Sequence, residues 1–442
     1  MNYRYLEKHT ESAIDLYELR ATWQNDPDIH ASAVESLEKR LNASLYDCVP
    51  ALEVKQSANE STQPKNKKEP TKEAECFVFL AGHINSPQAD ISEAGYELAY
   101  QWLALDQKKS AAAEMALSLY PEADQTRLLK LYDTQETLRP YLLRIFRKQM
   151  VALPLEMVTT AATNENVSAA LKIEALNYAA ANPDFGLNLF RTHYVPLLSG
   201  KTQFDSAIIE AALWGGMVRN DPDAILALSA ALSHAGAATE HAKFMRLAAL
   251  TGNAEFLPLL LMAAENNPDT GVALLVLYGQ KSIMPEILKG LATAHTMEQA
   301  AIAFNKITDQ ILPRVPRLTV VGEDEDDADE SPEQIPDINA ARSWWEKHQT
   351  VWKVDERWLF GKPATPEHLT ALCKKHAGSF GRDVLALLQL SNKAPLNIAT
   401  ETWRARQIQL LDAQVNDKSS AMPNAKPAAA KQAIKPASVR HA

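Results

Sequence analysis

His368, Cys373 and His376 place two imidazoles and a thiol in one short stretch, and these are donor types that hold zinc. The segment reads as a helix, on which their directions diverge, and no fourth ligand stands beside them. His234 and His241 are separated by a turn expected at Gly236, and no two of the eleven histidines lie four apart. Zinc is therefore disfavoured. A nucleophile needs exposure and a base, but Cys373, between Leu372 and Lys374, reads as a small packed residue, and G-x-S-x-G is absent. Gly361-Lys362-Pro363 lacks both the first glycine and the Ser or Thr of a phosphate-cradling loop. Glu325 and Asp329 could pair for acid-base work, but they sit in a solvated run where no burial would raise a pKa. These residues assign no catalytic, cofactor-binding or metal site, and the chain reads as a non-enzyme.

The elements that would position any site are helical. The chain has 442 residues, 46% hydrophobic and 23% charged, with only fifteen glycines, a composition that disfavours a β architecture. Of its net charge of −10, seven carboxylates lie between Glu323 and Glu330; setting them aside leaves −3. No basic stripe marks a nucleic-acid-binding face, so nucleic acid is not expected as a partner. Cys48, Cys76 and Cys373 are odd in number and far apart, which fits a reducing compartment. Met1 to Arg20 lacks the apolar stretch of a signal peptide. The longest apolar run, Phe256 to Ala264, is too short to span a bilayer. A soluble, cytoplasmic protein is expected.

Six stretches follow along the chain. Residues 1–54 form an N-terminal helical segment, with Ala13, Leu16, Tyr17 and Leu19, then Val34, Leu37, Leu41 and Leu45, at near-helical spacing. Residues 55–74, with Lys65, Lys67, Lys68 and Lys72 and no large apolar residue from Gln56 on, read as a flexible linker. Residues 75–310 are one helical segment after another. Residues 311–337 carry the acidic run and are expected to be a disordered loop, without the spaced oxygens and glycine of a calcium loop. Residues 338–412 hold Trp344, Trp345, Trp352, Trp358 and Trp403, and include a helix start with Thr365 as N-cap and Pro366 at the first helical position. Residues 413–442, with Lys418, Lys426, Lys431, Lys435 and Arg440 against Asp417, are expected to be a disordered basic tail.

Within 75–310 one pattern recurs. Leu131-Tyr132-Asp133 precedes Leu138-Arg139-Pro140; Leu250-Thr251-Gly252 precedes Phe256-Leu257-Pro258; Leu277-Tyr278-Gly279 precedes Met284-Pro285. Each copy reads as a helix end, a tight turn and a new helix with proline in its first turn. Asn182-Pro183-Asp184 and Asn220-Asp221-Pro222-Asp223 read as variants with an Asn or Asp N-cap. Markers at Pro183, Pro222, Asn253 and Lys281 lie 39, 31 and 28 residues apart, the size of a helical hairpin. Such hairpins bury their apolar faces by stacking, so the predicted fold is all-α, an α-solenoid ahead of an irregular bundle.

Trp344-Trp345, Arg357-Trp358-Leu359-Phe360-Gly361-Lys362-Pro363 and Thr402-Trp403-Arg404-Ala405-Arg406-Gln407, behind an Ala/Leu-rich repeat region and an acidic loop, resemble a family of HEAT-like repeat proteins encoded in bacterial type VI secretion gene clusters. Leu6-Glu7-Lys8-His9 and Leu37-Glu38-Lys39-Arg40-Leu41 resemble the family's opening helices. The linker and the tail have no counterpart in it, and the repeats are less regular here. The resemblance implies a HEAT-like α-solenoid with a Trp-rich C-terminal unit and a secretion accessory or adaptor that binds protein, an effector or spike component; it carries no catalytic residues over. An enzyme or nucleic-acid-processing protein on the same scaffold, or a structural part of the secretion machine, stays open as an alternative. In packing terms, Trp358 and Phe360 anchor the turn at Gly361, Trp403 seals the last helix, and the unit caps the exposed end of the stack.

Overall fold

Apolar residues three and four apart, broken by short polar turns, give a succession of helices. The computed structural model describes residues 3–59, 70–120, 125–200, 202–317, 333–392 and 402–420, with Leu396 and Ile398. An N-terminal pair, α1 (Tyr3–Trp23) and α2 (Ala31–Asn59), precedes α3 (Glu73–Ile84), α4 (Ala89–Leu103), α5 (Gln107–Leu119), α6 (Thr126–Thr134), α7 (Arg139–Gln149), α8 (Leu155–Thr163), α9 (Ala169–Ala181) and α10 (Asn188–Leu198). Then come α11 (Ser206–Met217), α12 (Pro222–His234), α13 (Ala238–Thr251), α14 (Leu257–Asn266), α15 (Pro268–Tyr278), α16 (Met284–Leu291) and α17 (Met297–Thr308). The chain ends with β1 (Arg314–Pro316), β2 (Gln334–Pro336), α18 (Ile338–His348), β3 (Trp358–Leu359), β4 (Lys362–Pro363), α19 (Pro366–Lys375), α20 (Gly378–Ser391) and α21 (Arg404–Ser420).

The fold is all-α. From α3 to α17, each odd-numbered helix packs on the next odd-numbered one, and the even-numbered helices lie against them as a second layer. The odd row restarts at Gln107, Arg139, Ala169, Ser206, Ala238, Pro268 and Met297, steps of 29 to 37 residues. Packing alternates large and small. Phe77, Phe146, Phe190, Phe244 and Phe304 are fully buried, and Ala112, Ala175, Ala212, Ala248 and Ala303 are buried in the same core, small side chains that let helix axes approach closely.

The recurring turn folds alike in all three copies. A one-turn 3-10 segment (Glu136–Leu138, Ala254–Phe256, Lys281–Ile283) leads into a helix with proline in its first turn, where no N–H is missed. The copies are not equivalent in the stack, since the first enters the odd row and the other two leave it. Asp221 caps α12 ahead of Pro222 as read from the sequence. Asn182 does not cap a helix start: its side chain accepts from the Asp184 N–H at 3.0 Å, closing a turn after α9, and α10 begins only at Asn188.

Three boundaries differ from the sequence reading. Helix α2 continues past Pro50 through Asn59 and α3 begins at Glu73, so the stretch read as linker is helical at both edges; no proline or glycine lies between Pro50 and Pro64, and residues 60–69 lie outside the described residues. The stretch read as a disordered acidic loop has an ordered base. There β1 pairs with β2 in antiparallel register, Val315 opposite Ile335, held by Arg317 to Glu333 at 2.7 Å and by Arg314 to Glu298 at 2.6 Å. Residues 318–332, with the acidic run, lie outside the described residues. Helix α21 runs to Ser420, past the expected tail start, because Leu411 is buried and no proline precedes Pro423; residues 421–442 lie outside the described residues.

The final unit caps the stack and also reaches back along it. Trp344 meets Phe304 of α17 edge to face, while Trp352 stacks on Trp358 at 4.4 Å and meets Trp345 edge to face. The β3–β4 hairpin turns at Phe360 and Gly361, both at positive φ (45° and 69°), as a two-residue turn between twisted strands requires. Helices α19 and α20 then run to the N-terminal pair. Gly378 sits where an added Cβ would stand 1.9 Å from the Asp26 carbonyl, so only glycine allows α20 to begin against the α1–α2 loop.

His376 lies at that junction, stacked on Phe360 at 4.9 Å and edge-on to Phe380, with His30 across a β-bridge. Burial, together with Lys375, His30 and Lys306 and opposed by Asp28, pulls its imidazole down to about 4. The unfolded ring titrates near 6.5, so the unfolded chain binds more protons between these values. The neutral ring's contribution is therefore full above pH 6.5 and lost as pH falls from 6.5 to 4. The thermal midpoint is expected to drop more steeply over that window in the native chain than in His376→Leu, which keeps the ring packing apolar; parallel curves would refute the assignment.

Candidate functional site

Of the residues that sequence chemistry singles out, His368, Cys373 and His376 are packed or hydrogen-bonded within the fold. His368 Nε2 lies 2.8 Å from the Leu359 carbonyl, His376 is packed between rings, and Cys373 is buried with its thiol pushed up to about 12. His234 ends α12 and His241 lies in α13, beyond the intervening turn. Gly361 belongs to the β-hairpin turn. Among the described residues, no group of three His, Cys, Asp or Glu side chains is arranged to hold a metal ion. Glu325 and Asp329 lie outside the described residues.

Two kinds of charged group organise the stack instead. The first caps helix ends. A helix leaves its last carbonyls unpaired and negatively polarised, and a buried guanidinium can satisfy several at once. Arg219 donates to the carbonyls of Ala179 (2.8 Å), Asn182 (2.7 Å) and Phe185 (3.0 Å). Arg357, directly ahead of β3, donates to Tyr278 (3.1 Å), Ala249 (3.1 Å) and Leu250 (2.8 Å), while the Trp358 N–H donates to the Gly279 carbonyl. Burial lowers both guanidinium pKa values to about 10, which leaves both charged at neutral pH.

The second is a ladder of opposite charges one hairpin apart on the odd row. Arg144 of α7 pairs with Glu114 of α5 at 2.8 Å and with Glu174 of α9 at 3.2 Å, each separated from it by thirty residues. Lys148 adds a bond to Glu114 at 2.7 Å. Farther along, Lys243 of α13 meets Glu210 of α11 at 3.2 Å, while Arg246 leaves the row to meet Asp383 of α20 at 2.6 Å. The sequence signal was there, as opposite charges recurring at one hairpin length; it does not stand out until the hairpin length is known.

Between this row and α20 lies a cavity of about 680 Å³. Its walls come from α7, α9, α11 and α13 on one side and from α20 with Leu396 and Ile398 on the other. Arg147, Trp214, Lys243, Arg246 and Arg382 line it, with Glu210 and Asp383. Gln389 closes one end by donating to the carbonyls of Leu396 and Ile398. It holds cations, carboxylates, the Ser379 hydroxyl and an indole. Such an arrangement can bind.

No helix among the described residues is long and apolar enough to cross a membrane. No protein-family model matches the chain, and neither a curated protein nor a solved structure does so.

Proposed function

We propose that this chain is a non-enzymatic protein-binding scaffold, a cytoplasmic accessory or adaptor of a bacterial type VI secretion system that assists the loading of an effector or spike component. The observation that carries the binding reading is the open cavity of about 680 Å³ between the odd row and α20, walled by four successive helices of the stack. Stacked hairpins suit this work because each adds a similar strip of surface, so a long partner segment can be gripped without any one deep pocket. The secretion context rests on the likeness of the tryptophan and Arg357-Trp358 blocks to the HEAT-like family. Their packing role fits that reading, since these blocks seat the C-terminal unit that forms the cavity's second wall.

Affinity purification of the tagged full chain from a host expressing its secretion genes, followed by mass spectrometry, tests the reading. Specific recovery of an effector or spike protein is the expected result. Recovery of no secretion component in repeated purifications would overturn the adaptor assignment and direct attention to an enzymatic or nucleic-acid role.

A further inference from the structure

We infer that a second cavity, between the stack and the C-terminal unit, is a binding site for a small aliphatic monocarboxylic acid. Such a site goes beyond the scaffold reading and does not depend on it. The cavity measures about 370 Å³, a size at which small-molecule sites occur. Ile225 of α12 and Leu250 near the end of α13 line it from the stack, and Leu369 of α19 with Leu387 and Leu390 of α20 line it from the C-terminal unit. These side chains are aliphatic, so the body of a ligand that fits them is apolar.

Arg357 supplies the polar end of the site. It lines the cavity, and no carboxylate stands close enough to oppose the burial that lowers its pKa. It therefore holds an uncompensated positive charge at neutral pH. Arg219 provides the contrast, because it spends every nitrogen on a carbonyl: Nε on Phe185, Nη1 on Ala180 and Gly215, and Nη2 on Ala179 and Asn182. Arg357 spends only Nε, on Tyr278, and Nη2, on Ala249 and Leu250. Its Nη1 has no acceptor among the described residues, in a side chain that the fold leaves partly exposed beside the cavity. Helix capping thus leaves the two Nη1 donors for a ligand.

One uncompensated charge among aliphatic walls selects a monoanion. Asp221 also lines the cavity, but its carboxylate is taken: Arg191 donates to both oxygens, at 2.9 and 2.6 Å, and the Tyr194 hydroxyl donates to one of them. It neither neutralises Arg357 nor offers a free partner to a ligand ammonium, which disfavours an amino acid. A phosphate dianion would carry a second charge into apolar surroundings without a partner, at a large desolvation cost. A carboxylate balances the guanidinium one to one and accepts charge-assisted bonds from it, while its aliphatic chain covers the apolar walls.

Calorimetric titration of the full-length chain with decanoate tests the assignment, with decanamide as the neutral analogue of equal length. Decanoate is expected to bind and to raise the melting temperature. Decanamide is expected to bind at least tenfold more weakly, because it offers Arg357 no charge. Ile225→Trp fills the cavity from a half-buried position on α12, and it is expected to weaken decanoate at least tenfold with helical ellipticity unchanged. A decanoate with a diazirine at its tail should, on irradiation, label peptides from α12, α19 or α20, which locates the site even where the tryptophan variant folds poorly. No binding at millimolar decanoate, equal binding of decanamide, full binding by folded Ile225→Trp, or labelling confined to other helices would each overturn the assignment. An apolar hexapeptide that binds more tightly than decanoate, and loses that binding when its C-terminus is amidated, would overturn it too, by giving the site to a protein terminus. The affinity purification reads the secretion assignment separately, and none of these outcomes bears on it.

Discussion

Replacing Arg357 with alanine is expected to lower the unfolding free energy by about 4 kcal/mol, since it removes three charge-assisted bonds to helix-end carbonyls and opens a cavity beneath the segment that carries it. The side chain is largely buried and bonds the ends of two helices, α13 and α15, at the carbonyls of Leu250, Ala249 and Tyr278. Without it those carbonyls face an apolar gap, and the Trp358 N–H loses its alignment on Gly279. Arg357→Lys should recover little, because a single ammonium cannot reach acceptors that the guanidinium meets with two different nitrogens. Urea unfolding followed by helical ellipticity checks this, and a loss below about 1 kcal/mol would show that water satisfies the carbonyls.

Glu38→Ala should cost nearly as much, about 3–5 kcal/mol, because it leaves a buried guanidinium uncompensated. Glu38 accepts from Arg20 Nε at 2.8 Å and from the Arg404 N–H at 2.8 Å, with Arg20 and Glu38 both about 4% exposed. Arg20 also lies over the Trp403 ring at 4.7 Å. Burial pushes the Glu38 carboxyl above the ordinary carboxylate range even with Arg20 on it, so the pair gives little stability relative to an apolar replacement. The damage comes from breaking it on one side. The double change Arg20→Met/Glu38→Met is therefore expected to be milder than Glu38→Ala alone, and a double change at least as damaging would disprove that account.

Helices and turns were legible in the sequence because they rest on local rules. Pro140, Pro258 and Pro285 mark helix starts by removing a donor that no helix start uses, and Thr365 and Asp221 cap the helices that follow them. Asn182 misled because the same side chain closes an Asx turn as readily as it caps a helix. Long-range placement was not legible. Nothing local to Arg357 says that it will meet carbonyls more than a hundred residues earlier, at Ala249 and Leu250, and nothing in Arg147 or Arg382 says that they will share a wall. The tryptophans do pack as their size and spacing suggest, but a cap on the end of the stack is too narrow a role, because Gly378 and His376 carry the same unit onward to α1 and α2.

That return contact sets a schedule for biosynthesis. Glu38 leaves the ribosome 366 residues ahead of the Arg404 N–H that it binds; at about 5–20 residues per second the interval is roughly 20–70 s. Throughout it, the face that α1 and α2 later offer to α19 and α21 stands uncovered, however well the intervening hairpins have formed. The nascent chain thus carries its own unpaired surface until Arg404 has emerged, and ribosome-associated chaperones that cover such surfaces should matter more to its yield than to that of an open stack of the same length.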